Sequence, residues 1–242
     1  MSDAPRRRSG GRAARQAARA ETAAADVHPF LIRAMSPFEV MSEEGLVTIE
    51  ENADTILEEL GIDFRDYPSS LELLSSAGAE VDGERVRFPR GMCREIITAS
   101  APAVYTHHGR NPARSVQVGG NATVFAPAYG SPFVHDLDEG RRYATIGDFH
   151  NFVKLAYQSP HMHLSGGTVC EPVDIPVHKR HLDMVYAHLR YSDKPFMGSV
   201  TATERAQDSV DLARIAFGDD FVEGNTVMTS LINASSPMAW DA

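Results

Sequence analysis

Cysteine is nearly absent. Cys93 and Cys170 stand alone, far apart and without a partner pattern, which excludes a disulfide framework or a cysteine-type zinc module and predicts two buried free thiols. No run approaches the ~20 consecutive apolar residues that cross a bilayer, and no apolar stretch follows the N-terminal arginines. Neither a membrane span nor a secretory leader is readable, so the expected compartment is the cytoplasm. Also missing are the phosphate-cradling G-x-x-x-x-G-K-[ST], the dinucleotide G-x-G-x-x-G and the nucleophile elbow G-x-S-x-G. ATP, NAD and acyl-serine chemistry lose their usual supports.

What is present is a chain of 242 residues, 43% hydrophobic and 23% charged, with room for one large domain or two modest ones. The net charge of -10 is unevenly spread. Arg6, Arg7, Arg8, Arg12, Arg15 and Arg19 face only Asp3 in the first twenty positions, and the remainder carries 17 basic against 32 acidic residues. So acidic a body repels phosphate backbones, and no nucleic-acid partner is expected. Residues 1–26 read as a disordered Arg/Ala-rich tail, poor in large apolar side chains, although an organelle transit peptide or a weak amphipathic helix fits the same composition.

Order is expected from Val27 to Met35. Ser36-Pro37-Phe38-Glu39 predicts a helix start, with Ser as N-cap, Pro at the first helical position and Glu closing a capping box. From Glu43 a longer helix carries Leu46, Ile49, Ala53, Ile56, Leu57 and Leu60 on one stripe that must pack on something, and Gly61 stops it. Pro68 to Ala77 and Pro89 to Ser100 predict further helices, with a hairpin turning at Asp82-Gly83 between them. Short β-rich runs follow (Val104 to His107, Ser115 to Val118, Thr123 to Ala128, Pro132 to His135) and read as one small antiparallel sheet.

After Thr145, which caps a helix through Gln158 with Asp148 three residues on, the rhythm becomes strand and helix alternately. Leu164 to Val169, Pro195 to Val200 and Thr226 to Ile232 are the strands; His178 to Tyr191 and Glu204 to Phe217 are the helices between them. Such spacing predicts parallel βα units. A closed (β/α)₈ barrel takes ~250 residues by itself, and the sequence stops just beyond a strand at Ser236-Pro237-Met238-Ala239-Trp240-Asp241-Ala242. The expected fold is therefore α/β: a partial TIM (β/α)₈ barrel, its first three βα units only, over residues 145–242, preceded by a helical and small antiparallel β extension over 27–144. The chain reads as an N-terminal fragment.

Six segments carry a family likeness: Gly109-Arg110-Asn111-Pro112-Ala113-Arg114, Phe125-Ala126-Pro127-Ala128-Tyr129-Gly130, Phe133-Val134-His135-Asp136-Leu137-Asp138, Ser165-Gly166-Gly167-Thr168-Val169-Cys170-Glu171-Pro172, His181-Leu182-Asp183-Met184-Val185-Tyr186 and Asp193-Lys194-Pro195-Phe196-Met197-Gly198-Ser199. In this order, over roughly residues 30–242, they resemble the trimethylamine:corrinoid methyltransferase family. The resemblance implies a TIM barrel that takes a methyl group from trimethylamine or a quaternary amine such as glycine betaine. It implies an acceptor, Co(I) corrinoid, supplied by a cognate corrinoid protein, with no cofactor bound directly, and a homo-oligomer at full length. A fragment would be inactive alone. In the pyrrolysine-containing branch the special residue lies beyond this sequence, so the branch stays open.

Removing a methyl group from a cationic nitrogen turns it into a neutral leaving group, so the site must hold a cation without overstabilising it. Aromatic faces and a nearby carboxylate suit that task. Barrel sites lie at the C-terminal ends of strands, which makes Thr168 and Glu171, Ser199 and Thr201, and Asn233 and Ser235 the candidates. Glu171 is the expected carboxylate; the competing reading is an ion pair with a loop arginine. Tyr129 and Phe125 are the expected aromatic wall, with packing on the small sheet as the alternative. His135-Asp136 orients or shuttles a proton, or merely bonds a hairpin backbone. His161-Met162-His163 resembles the H-x-H metal pair of amidohydrolase barrels but begins its strand, at the end where barrels place stability and not chemistry. His178, His181 and His188 share a helix face and read as outer-surface residues. No metal site is expected. A metal-dependent hydrolase or lyase, and a noncatalytic amine-binding protein, remain the alternatives.

Overall fold

The structure, a computed structural model, describes residues 29–235 and 238–241. The expected tail at 1–26, the onset of order at Val27 and the Ser236-Pro237 step lie outside the described residues. Strand β1 (Leu31–Ile32) leads into extended chain, and the capping-box sequence at Ser36 forms no helix. Phe38 is 90% exposed there, so no burial offsets the entropy of ordering a turn. Ser42 is the true cap, its hydroxyl accepting from the Gly45 N–H at 3.2 Å, and α1 (Glu43–Thr55) continues into a π-helical turn at Ile56–Leu60. Gly61 ends it at φ +68°, where a Cβ would stand 2.2 Å from the Val86 carbonyl oxygen. Of the predicted apolar stripe only Leu57 reaches a core; Leu46, Ile49, Ile56 and Leu60 are exposed.

Strand β2 (Ile62–Arg65), α2 (Pro68–Ser76), β3 (Glu80–Asp82) and β4 (Arg85–Arg87) close the first core around Phe64, Ala79, Val86 and Phe88, with α3 (Met92–Ser100) adding Met92 and Cys93. Cys93 is thus only half-buried, against the expectation, whereas Cys170 is buried. The register pairs Asp82 with Arg85, so the hairpin loop is Gly83-Glu84 and not Asp82-Gly83. Gly83 at φ +61° takes the first central position, as a II′ turn requires.

The single antiparallel sheet expected next is three separate ribbons. Strand β5 (Val104–His107) pairs with β6 (Val116–Gly119), β7 (Ala122–Thr123) pairs back to β1, and β8 (Phe133–Asp136) pairs with β9 (Gly140–Tyr143). The predicted strand from Thr123 to Ala128 stops at Thr123 because the backbone beyond it bonds elsewhere, as described below.

Helix α4 (Ile146–Gln158) begins as predicted, with the Thr145 N–H donating to the Asp148 carboxylate at 2.8 Å in a capping box. Arg142 grips the same carboxylate at 2.7 and 2.9 Å and holds it well below the usual carboxylate range. Then follow α5 (Val177–Tyr191), β10 (Phe196–Met197), α6 (Thr203–Phe217), α7 (Asp219–Gly224), β11 (Met228–Thr229) and β12 (Ala239–Asp241). The pairing is parallel: Gly166 bridges Phe196, and Phe196 registers with Met228. The expected strand Leu164 to Val169 shrinks to one bridge because Gly166 sits at φ +103°, outside strand geometry. Among the described residues the fold is mixed α/β, and its parallel strands do not close on themselves. Several contacts tie this half to the first. His107 bridges Thr226 in parallel, and β12 adds to the first sheet beside β2 in the order β12-β2-β4-β3, with Trp240 opposite Phe64.

The second core joins Phe149 and Val153 of α4 to Met184 and Ala187 of α5, with Val134, Ala144, Val169 and Cys170. His181 and His188, expected on the outer surface, are buried at 3% and 2% exposure; only His178 faces out. That helix face turns inward because imidazoles with partners bury readily. His181 Nε2 meets Asp208 of α6 at 2.7 Å. His188 Nε2 donates to the Gly167 carbonyl at 2.8 Å while its Nδ1 accepts from the Ser165 hydroxyl at 2.7 Å. Lys194, also buried, sends its ammonium to the carbonyls of Ala156, Ser159 and Met162 at 2.7, 2.8 and 2.6 Å, closing the C-terminus of α4.

Burial lowers the His188 pKa to about 4, partly offset by the Gly167 hydrogen bond, and burial lowers His107 to about 4 as well. A histidine with a folded pKa below its unfolded value of ~6.5 is neutral in the fold, so acid favours the unfolded chain and stability falls between those two values. Replacing His188 by Gln is expected to remove about one proton from the uptake on unfolding, a slope change of ~1.4 kcal/mol per pH unit. Urea melts between pH 7 and pH 4.5 measure it; an unchanged slope would mean that His188 titrates as a solvated group.

Candidate active site

The C-terminal ends of the parallel segments are built from glycine. Gly167 faces Met197, with a Cβ placed 3.1 Å from that side chain, and Gly198 faces Met228, with a Cβ only 2.2 Å from its sulfur. Each methionine fills the space that a glycine on the neighbouring segment leaves open. Flexible thioethers suit that irregular gap.

Residues 125–131 form a strap alongside 163–171. The Phe125 N–H donates to His163 Nδ1 at 2.9 Å, and the His163 and Leu164 N–H groups donate back to the Phe125 carbonyl at 2.9 and 3.2 Å. Further along, the Gly130 N–H donates to the Thr168 carbonyl at 2.8 Å and the Glu171 N–H to the Ser131 carbonyl at 2.9 Å. The strap therefore sets Tyr129 beside Thr168 and Glu171 at the C-terminal end. It sets Phe125 at the other end, stacked on His163 with ring centroids 5.6 Å apart. The two hydrogen-bonded ends of the strap, at Phe125 and Gly130, are five residues apart in the chain. Both rings are about half-exposed.

Glu171 pairs with Arg180 of α5, whose guanidinium also donates to the Ile175 carbonyl at 3.1 and 3.3 Å. The carboxylate is thus engaged by an arginine, the contact its competing reading named. The Ser199 backbone is pinned to α6 through the Ser209 hydroxyl, at 3.2 Å from its N–H and 3.0 Å from its carbonyl. Thr201 Oγ1 accepts from Arg205 at 2.7 Å. Asn233 is exposed, and Ser235 donates its N–H to Ala239 in the turn before β12. His135 is exposed, while Asp136 accepts from the Asp138 and Glu139 N–H groups at 3.0 and 2.7 Å, which caps the β8–β9 turn. His161 is exposed and His163 is buried beside the strap. Among the described residues no group of three His, Cys, Asp or Glu side chains gathers as a metal site.

Two features escaped the sequence reading. Gly109 to Arg114 latch onto the start of β10: the Asn111 N–H donates to the Asp193 carbonyl at 3.2 Å, Arg114 pairs with Asp193 at 3.1 Å, and Arg110 donates to the Ser192 carbonyl at 2.7 Å. A Cβ on Gly109 would lie 2.8 Å from the Asp193 carbonyl oxygen, so the approach requires glycine. The other is a hollow beside β2, lined by Phe64, Tyr67, Thr201 and Trp240. Its residues lie too far apart in the chain for spacing to reveal it.

Parallel βα units with candidate groups on the loops after the strands place the chain among α/β proteins whose sites form at the carboxyl ends of a sheet. The sequence pattern of trimethylamine methyltransferase (MTTB) matches residues 8–242. The chain is 45% identical over 205 residues to a glycine betaine methyltransferase of Desulfitobacterium hafniense (strain Y51), a match covering 84% of this chain and 42% of that relative. It belongs to the trimethylamine methyltransferase family, and it spans well under half the length of this curated relative.

The glycine–methionine fit generates a stability test. Gly198→Ala is expected to cost ~1–2 kcal/mol through overlap with Met228, and a double-mutant cycle with Met228→Ala is expected to return a coupling of ~1 kcal/mol. Chemical denaturation of the four proteins measures it; strict additivity would mean that the two residues do not meet.

Proposed function

We propose that the chain is part of a methyltransferase that moves a methyl group from a methylated amine, trimethylamine or a quaternary amine such as glycine betaine, to a Co(I) corrinoid carried on a partner protein. In this reading residues 145–242 are the first βα units of a TIM barrel and residues 27–144 an extension packed on them. The observation that carries the reading is the 45% identity to a glycine betaine methyltransferase over 205 residues, 84% of this chain. The parallel bridge between Gly166 and Phe196 and the parallel register of β10 with β11 support the barrel assignment.

The corrinoid is a substrate here, the acceptor of the methyl group, and supplies the nucleophile. The carbon–nitrogen bond breaks as the carbon–cobalt bond forms, and its electron pair stays on nitrogen, which leaves neutral. The chain's own task is to hold the cation with its methyl group exposed. Tyr129, Thr168 and Ser199 are the proposed contacts at the strand ends. Glu171, already bound to Arg180, fixes the loop after the strand onto α5 and leaves the cation to aromatic faces. Phe125 and Asn233 stand away from that point in this reading.

A segment swap tests the function. This chain replaces the matched segment of the Desulfitobacterium hafniense relative, and methylation of a Co(I) corrinoid protein is followed by its absorbance. Transfer from glycine betaine or trimethylamine is expected at a rate within about tenfold of the parent's, a barrier difference under ~1.4 kcal/mol. A folded chimera without any transfer would overturn the proposal.

A further inference from the structure

Side chains alternate in direction along a strand, so Phe196 and Met197 leave β10 on opposite faces. Phe196 is 1% exposed and stacks on the His188 ring of α5 with centroids 6.1 Å apart, which makes its face the helix side. Met197 therefore looks to the other side. The parallel register sets its neighbours there: Thr229 of β11 stands opposite Met197, and a Cβ on Gly167 would lie 3.1 Å from the Met197 Cβ and 3.3 Å from its sulfur. Gly167, Met197 and Thr229 thus form one layer. Two residues before Thr229 on the same face, Val227 is 4% exposed beside the bridge from His107 to Thr226, whereas Met197 and Thr229 are part-exposed. The face is shut at the start of the strands and open at their ends.

In a barrel the face turned away from the helices is the lumen, and its C-terminal layer borders the site. Met197 is the largest side chain of that layer, since Gly167 contributes none and Thr229 a short one. No member of the layer carries a charge, so a methylated cation meets it through shape and dispersion. A thioether is flexible and polarisable, and it touches a cation without neutralising it. We infer that Met197 is a specificity-determining residue: its thioether is the stop against which the substituents that stay on nitrogen rest, and it limits their length. The inference rests on the methylated-amine reading and the barrel assignment above, and adds to them a limit on size. A smaller side chain at this position opens room for a longer substituent and loosens the fit around a methyl group.

The segment-swap chimera carries the test. Its kcat/KM is measured with whichever of glycine betaine and trimethylamine it demethylates, and with analogues of that amine in which one N-methyl group is lengthened to ethyl or butyl. In the unsubstituted chimera kcat/KM is expected to fall at least about tenfold from methyl to butyl, the low end of what even one excess methylene costs in a hydrophobic pocket. Met197→Ala is expected to raise the butyl-to-methyl ratio about tenfold, on the same scale. Met197→Val, which removes less volume, is expected to raise it by less, and it carries the test should the alanine variant lose its cooperative melt. A methionine that only supported the fold would lower every substrate by one common factor. An unchanged ratio in a folded variant, or no decline from methyl to butyl in the unsubstituted chimera, would overturn the inference and leave the transferase reading standing. A folded, unsubstituted chimera without any transfer would overturn both.

Discussion

The imidazole of His188 joins three elements at one point. It rises from α5, stands edge-on to Phe149 of α4 at 5.3 Å and parallel to Phe196 of β10 at 6.1 Å, and bonds through both nitrogens to the 165–167 segment. Of the two neutral tautomers only the one that carries its proton on Nε2 satisfies both ring nitrogens, and burial lowers the pKa by disfavouring the charged form. The Gly166 backbone at φ +103° cannot continue a ladder, and the Gly167 carbonyl accepts instead from the Val169 N–H at 2.8 Å and from His188 Nε2. The strap, the glycine–methionine fit and the strand ends all rest on that fixed segment.

Much of the architecture was legible because its causes are local. The capping box at Thr145 and Asp148, the stop at Gly61 and the alternation of helices with parallel segments follow from neighbouring residues and periodicity, and the structure places them as read. Where local signals failed, tertiary contacts had decided. Ser36 to Glu39 has the residues of a capping box but nothing to bury, so Ser42 caps the helix in its place. The run after Thr123 has the composition of a strand, yet its backbone bonds go to His163, Leu164 and Thr168. His188 has the spacing of a surface residue, and the Gly167 carbonyl and Ser165 hydroxyl, twenty-one and twenty-three residues away, make its burial possible.

The positions of the candidate residues were more legible than their side-chain partners. Thr168, Ser199 and Thr201 follow the parallel segments at Gly166 and Phe196–Met197 in the chain, as read from the alternation of strands and helices. Side-chain partners are another matter, because they depend on which helix lies opposite. Glu171 meets Arg180 across a helix start, and Phe125 meets His163 at the far end of the strap. Neither pairing follows from spacing. The aromatic wall of Phe64 and Trp240 is less readable still, since it exists only once β12 has returned to β2.

The latch from Gly109 to Arg114 bears on how the chain acquires its shape during synthesis. Its partners, Ser192 and Asp193, lie eighty-two residues further on, and the bridge from His107 to Thr226 reaches further still. At ~5–20 residues per second of translation, the finished β5–β6 ribbon waits seconds for those partners, with Arg110, Asn111 and Arg114 unengaged meanwhile. The first core, built wholly from Leu57 to Cys93, needs no such delay. Vectorial synthesis therefore favours an ordered sequence: an autonomous nucleus near the N-terminus, a ribbon held in waiting, and long-range closure only after β10 and β11 have left the ribosome.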